Sequence, residues 1–81
     1  MNELIIELDE LHTTELGSIR IKRNLGLDES INSVEYCKAK ICELNTRIQK
    51  IGKNFYATTS NEIITINASK LSIITAHKIK N

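Results

Sequence analysis

Proline is absent from the 81 residues, tryptophan is absent too, and glycine occurs only three times. With so little punctuation, the elements have to be told apart by their capping residues and by the period of their apolar positions. Two cysteines, Cys37 and Cys42, are too few for a disulfide framework. Five residues apart on a helix, they point roughly 140° from each other, so they neither bridge nor share a metal. They read as reduced thiols, one packed and one near the surface. The remaining soft ligands, His12 and His77, stand near opposite ends, which leaves no metal-site spacing. No apolar run exceeds three residues, which excludes a membrane-spanning helix. The acidic start lacks the basic character of a signal or transit peptide. The expectation is a soluble, cytoplasmic chain without cofactor or membrane association.

What is present is ordinary for a globular protein: 41% apolar and 26% charged residues. Length allows one domain, 1–81, and a domain this small buries only about 60–65% of its unfolded surface. The net charge of +1 conceals an asymmetry. Residues 1–19 carry five acids and no Lys or Arg, a net of −5, whereas residues 20–81 carry eleven basic residues against five acids, a net of +6. A basic body beside an acidic segment suits a phosphate-binding surface, and it equally suits a module that neutralises its own basic face.

Residues 3–12 read as a short helix capped by Asn2, with Leu4, Leu8 and Leu11 at helical spacing. A second helix is expected over about 15–24, with Gly26 to end it and Gly17 weakening its start. Asn32 followed by Glu35 has capping-box spacing. From there Val34, Cys37, Ile41, Leu44, Ile48 and Ile51 step by 3, 4, 3, 4 and 3, and Gly52 follows as a stop. This seam predicts a third helix over 34–51, unless Asn45 and Thr46 end it and release Arg47 to Ile51 as a strand. Residues 54–59, 62–67 and 71–79, rich in Ile, Thr, Phe and Tyr, read as strands joined by short linkers. The predicted fold is α+β: two or three N-terminal helices (helical part 3–51) on one face of an antiparallel three- to four-stranded meander, 53–79.

Glycine-rich phosphate loops, nucleophile elbows and metal-ligand clusters are missing. Cys37 lies in the apolar seam, where a thiol is inert. His77 stands on the last strand, two residues from Thr75 on the same face. Lys53 precedes Phe55 and Tyr56, and Arg20, Lys22 and Arg23 form a basic cluster on the second helix. These residue types suit metal-independent RNA cleavage. That reaction needs two proton-transfer groups, cations for the phosphate and an aromatic ring to stack a base. Each residue also has a plain structural role open to it. His77 would share a strand face with Leu71, Ile73 and Ile79 and serve as a rim residue of the core. Arg20 and Arg23 would pair with the acidic segment, and His12 would complement a helix C-terminus.

The segments His12–Gly17, Arg20–Leu25, Gly52–Tyr56, Ile64–Ala68 and Ile73–Lys78 resemble a family of short bacterial proteins of unknown function over nearly the whole chain. The resemblance implies coverage of the fold and no activity. Helices followed by an antiparallel sheet ending in Thr75-Ala76-His77 are also similar to the barnase–EndoU–colicin–RelE group of metal-independent ribonucleases. That likeness rests on three residues and implies a His, Arg, Lys, Thr and Tyr constellation on the sheet.

The leading expectation is therefore RNA binding, extending to metal-independent endonucleolytic cleavage of toxin type. His77 would be acid or base, Thr75 its hydrogen-bonding neighbour, Lys53 and Arg20 the phosphate cations, and Tyr56 the stacking ring or a proton relay. Lys22, Arg23 and Lys78 would be further phosphate contacts, and a neutralising protein would be a natural partner. The rival is a non-catalytic module that forms a homodimer or binds a protein through the 34–51 seam or a sheet edge.

Overall fold

The computed structural model describes residues 7–79. Thr14 stands in extended backbone and its hydroxyl accepts the Gly17 amide at 3.0 Å, which starts helix α1, Glu15–Leu25. The helix closes on Gly26 at φ 66°, a left-handed conformation that glycine adopts without a Cβ clash. Its buried stripe is Gly17, Ile21 and Leu25, spaced by four, while Leu16 and Ile19 face solvent. Asn32 caps helix α2, Ser33–Ile41, through its side-chain oxygen, which accepts the Glu35 amide at 3.0 Å. The two helices precede four strands: β1 Arg47–Ile51, β2 Asn54–Thr58, β3 Glu62–Asn67 and β4 Ser72–Lys78. All neighbours pair antiparallel in the order β1-β2-β3-β4.

The helix expected over 34–51 is overturned in its second half. Only Val34, Cys37 and Ile41 of the seam are helical; α2 ends there, and Thr46 donates its hydroxyl to the Lys40 carbonyl at the exit. Continuing the helix would have gathered Leu44, Ile48 and Ile51 on one side. Instead Leu44 and Ile51 are exposed and only Ile48 packs on the core. The alternative wins because Gly52 at φ 60° opens a two-residue turn with Lys53, the arrangement tight hairpins prefer. That turn pairs all five residues of β1 with β2. The boundaries 3–51 helical and 53–79 meander move accordingly, and the meander begins at Arg47.

The first expected helix, 3–12, survives in the described residues only as a 3-10 turn, Leu8–Glu10. Asn2 and Leu4 of that expectation lie outside the described residues. Leu11 leaves the turn in extended backbone and is buried. His12 then lies parallel to β4: its amide donates to the Leu71 carbonyl at 3.1 Å and its carbonyl accepts the Ile73 amide at 2.8 Å. This pairing covers one edge of the sheet.

Both helices cover the same sheet face, α1 lying closest to β4. Phe55, Ala57, Ile64, Ile66, Ile73 and Ala76 line that face and meet Ile21, Leu25, Cys37 and Ile41. Along β4 the alternation breaks once. Ile66 pairs with Ile73 but Thr65 pairs with Thr75, so Ile74 is an extra residue, a β-bulge. The bulge corrects the expectation that His77 shares a face with Ile73. After Ile74 the strand changes phase: Ala76 is buried and His77 exposed on the opposite face.

Cys37 is buried, as expected of a packed thiol, and Cys42 is exposed. Burial, then the nearby Glu62 charge, pushes the Cys37 thiol up to about 12 from its ordinary 9.0. Burial, then the hydrogen bond to Glu62, likewise raises the Tyr36 phenol. Both groups have folded-state values above their unfolded ones, so their contributions are complete below about pH 9 and are lost as pH rises through the folded values. Urea unfolding at pH 8, 9.5 and 11 should show constant stability at first. Stability should then fall by up to about 1.4 kcal/mol per pH unit for each fully titrating group. Cys37→Ala should flatten part of that slope. An unchanged midpoint from pH 8 to 11 would contradict the assignment.

Candidate functional site

The face away from the helices is built in three cross-strand rows. The register places Arg47, Thr58, Ile63 and His77 in one end row. Gln49, Tyr56, Thr65 and Thr75 form the middle row, and Ile51, Asn54, Asn67 and Ser72 the other end row. None of these twelve positions holds a carboxylate. The described acids lie in the N-terminal turn, the helices and their loops, or, for Glu62, on the covered face. The open face is therefore polar, weakly cationic and centred on one aromatic ring.

Three expected site residues, His77, Thr75 and Tyr56, fall on this face. His77 and Thr75 are two apart beyond the bulge, on the same side of β4. Tyr56 sits two strands from Thr75 in the same row, about 10 Å at ordinary strand spacing. Its phenol oxygen accepts a hydrogen bond from the Asn54 side chain at 3.3 Å, which fixes the phenol end of the ring. Thr75 Oγ1 accepts the Asn24 carboxamide at 3.4 Å. This contact ties the end of α1 to the open face. Arg20, one turn before Asn24, shares its helix flank and is exposed.

The other candidates do not converge there. Lys53 occupies the β1–β2 turn, beyond the row that is farthest from His77. Five residue steps along the strands and two strands across put its backbone roughly 19 Å from His77. Lys22 donates to the Glu29 carbonyl at 2.9 Å and so braces the loop after α1. Arg23 is exposed on the side of α1 away from the core. Lys78 faces the helices, its Nζ 3.8 Å from where a Cβ on Gly26 would stand. It complements the negative end of α1. His12 contacts the Glu10 carbonyl with its ring Nδ1 at 3.1 Å. Among the described residues neither Arg20 nor Arg23 has a carboxylate within ion-pair distance, so the expected pairing with the acidic segment is not seen there.

Two site residues escape the sequence reasoning. Arg47 lies in the segment that the sequence leaves open between helix and strand, so no sheet face follows for it from the sequence. The only sign of Asn24 was its spacing of four from Arg20. The described residues contain no cluster of three His, Cys, Asp or Glu able to hold a metal, and no helix long and apolar enough to cross a membrane. The arrangement can stack one planar group on Tyr56 and offers hydroxyls and carboxamides around it. Arg47 at the start of β1 and Arg20 on α1 can face a phosphate. A cleavage site would also need two proton-transfer groups flanking one phosphate. Lys53, expected as a phosphate cation, stands roughly 19 Å from His77 and does not share a phosphate with it.

The family model described as "Protein of unknown function (DUF3781)" matches residues 5–77. No curated protein and no solved structure matches the chain. Neither search supports the likeness to the ribonuclease group.

Proposed function

The chain belongs to the DUF3781 family, and for this member we propose that the open sheet face binds single-stranded RNA. The observation that carries the proposal is the absence of any carboxylate among its twelve side chains in a chain with ten acids. A face so composed does not repel a polyanion. Tyr56 stacks a base, as aromatic rings on sheets do for unpaired nucleotides. Thr75, Thr58, Gln49 and Asn54 supply hydroxyls and carboxamides for sugar and base edges. Arg47 and His77 at one end and Arg20 on the α1 flank contact phosphates. Lys53, at the hairpin tip, meets the backbone where the strand leaves the sheet.

Fluorescence anisotropy with a labelled twelve-nucleotide RNA of mixed sequence, at 50 and 200 mM salt, tests this. Base–aromatic stacking is worth about 1–3 kcal/mol, so Tyr56→Ala should weaken binding by about 5- to 150-fold. Arg47→Ala should weaken it less and flatten the salt dependence. An affinity untouched by Tyr56→Ala, or no binding at 50 mM salt, would defeat the proposal. The same RNA incubated in EDTA reports on cleavage. Ends carrying 2′,3′-cyclic phosphate that are lost in His77→Ala would add a catalytic role to the binding face.

A further inference from the structure

Helix α1 leaves a second surface without a partner among the described residues. Leu16 is 71% and Ile19 50% exposed on the side of α1 that faces away from the core. Arg23 continues the same stripe one turn later. Beyond it the chain folds back after Gly26, and Ile19, Lys22, Arg23, Leu27 and Glu29 line a shallow cavity beside the stripe. Leu16 and Ile19 leave large apolar side chains in water beside this cavity, and the charges of α1 favour one occupant.

We propose that the protein pairs with a second copy of itself through an antiparallel contact of the two α1 helices about a two-fold axis beside Ile19. Position 19 lies midway between Glu15 and Arg23. Reversing the helix about that point sets Glu15 of each copy level with Arg23 of the other, with Lys22 next to it. Two pairs of opposite charge result from one symmetry operation. The same operation sets Leu16 level with position 22 of the second copy. That height is between Ile19 and Arg23, at the mouth of the cavity they line with Leu27. Ile19 meets its own equivalent on the axis. The contact is self-complementary, as a closed two-fold interface requires. A parallel pairing would instead bring Arg23 against Arg23. An acidic or apolar stripe alone would not choose a second copy over another protein; the symmetric placement of opposite charges around one exposed isoleucine does. The helix has eleven residues and is about 16 Å long, so the interface is small and the dimer is expected to dissociate in the micromolar range. This surface is distinct from the open sheet face, and the inference does not depend on RNA binding.

Sedimentation equilibrium of the full chain from 5 to 500 µM tests it, with far-UV circular dichroism melts to check that each variant folds. The wild type should pass from monomer to dimer within that range. Ile19→Glu should remain monomeric throughout, with an unchanged melting midpoint because Ile19 is outside the core. Arg23→Glu should weaken the dimer at least tenfold, and Glu15→Arg added to it should recover most of the loss. If Ile19→Glu were not to fold, Leu16→Glu supplies the same test at the cavity. A wild type that is monomeric at 500 µM would overturn the proposal. So would a dimer that Ile19→Glu leaves intact, or one that the Glu15 and Arg23 exchange fails to restore.

Discussion

Gly17→Ala should lower the folding free energy by about 2–3 kcal/mol, although alanine is the better helix former by about 1 kcal/mol. A Cβ at this position would run into Thr13 Oγ1 and stand 3.2 Å from Thr14 Oγ1 and 3.5 Å from the Ile73 carbonyl oxygen. Those hydroxyls are not free to move aside. Thr13 Oγ1 donates to the Ile73 carbonyl at 2.9 Å and Thr14 Oγ1 accepts the Gly17 amide that starts α1. Rotating either threonine gives up a hydrogen bond or a helix cap, about 1 kcal/mol each. Holding them in place forces α1 away from β4. For a chain of this size the loss corresponds to a melting midpoint lower by about 10–20 °C. A midpoint equal to or above the wild type's would show that α1 can be displaced without penalty.

Tyr36→Phe is the second substitution with a large expected effect, and it removes a single oxygen. Glu62 is 3% exposed. One carboxylate oxygen accepts the Tyr36 hydroxyl at 2.7 Å, and the other is buried with no hydrogen-bond partner among the described residues. Phenylalanine would leave a buried carboxylate with no side-chain donor, which should cost about 2–4 kcal/mol. If the loss arises from the stranded carboxylate, removing it as well should be nearly neutral. Tyr36→Phe with Glu62→Leu should recover to within about 1 kcal/mol of wild type, since apolar replacement of both buried partners is commonly tolerated. A urea-unfolding cycle over the four proteins measures the coupling. Additive losses would place the stability of this corner in packing rather than in the pair.

Helix starts and stops were legible where single side chains encode them: Gly26 and Asn32 each perform a local task that neighbouring sequence suffices to reveal. The 34–51 seam misled because a 3.5-residue period describes the chain only if it remains helical. Whether it does is decided by a partner strand that contacts it from beyond Gly52. Gly52 itself was ambiguous, since a left-handed glycine ends helices and opens hairpins alike. Gly17 read as a defect in α1 because the Thr13 hydroxyl that excludes a Cβ there is held by the Ile73 carbonyl, far along the chain. In the candidate site, Thr75 and His77 were correctly placed together by a two-residue spacing, but their face was not. No property of Ile74 in isolation marks it as the extra residue.

That extra residue gives β4 a parity. Upstream of Ile74 the even positions look outward; downstream the odd ones do. The two faces of the strand therefore depend on the bulge and its extra residue going together. Deleting Ile74 would remove the bulge and leave Ala76 and His77 on the faces they now occupy. Pairing β4 in plain alternation with Ile74 retained would instead turn Ala76 out to solvent and carry His77 beneath the helices, where a histidine has no counterpart to meet. A chain of this fold that keeps the histidine outward and the alanine buried therefore keeps the bulge with its extra residue, or loses the two together.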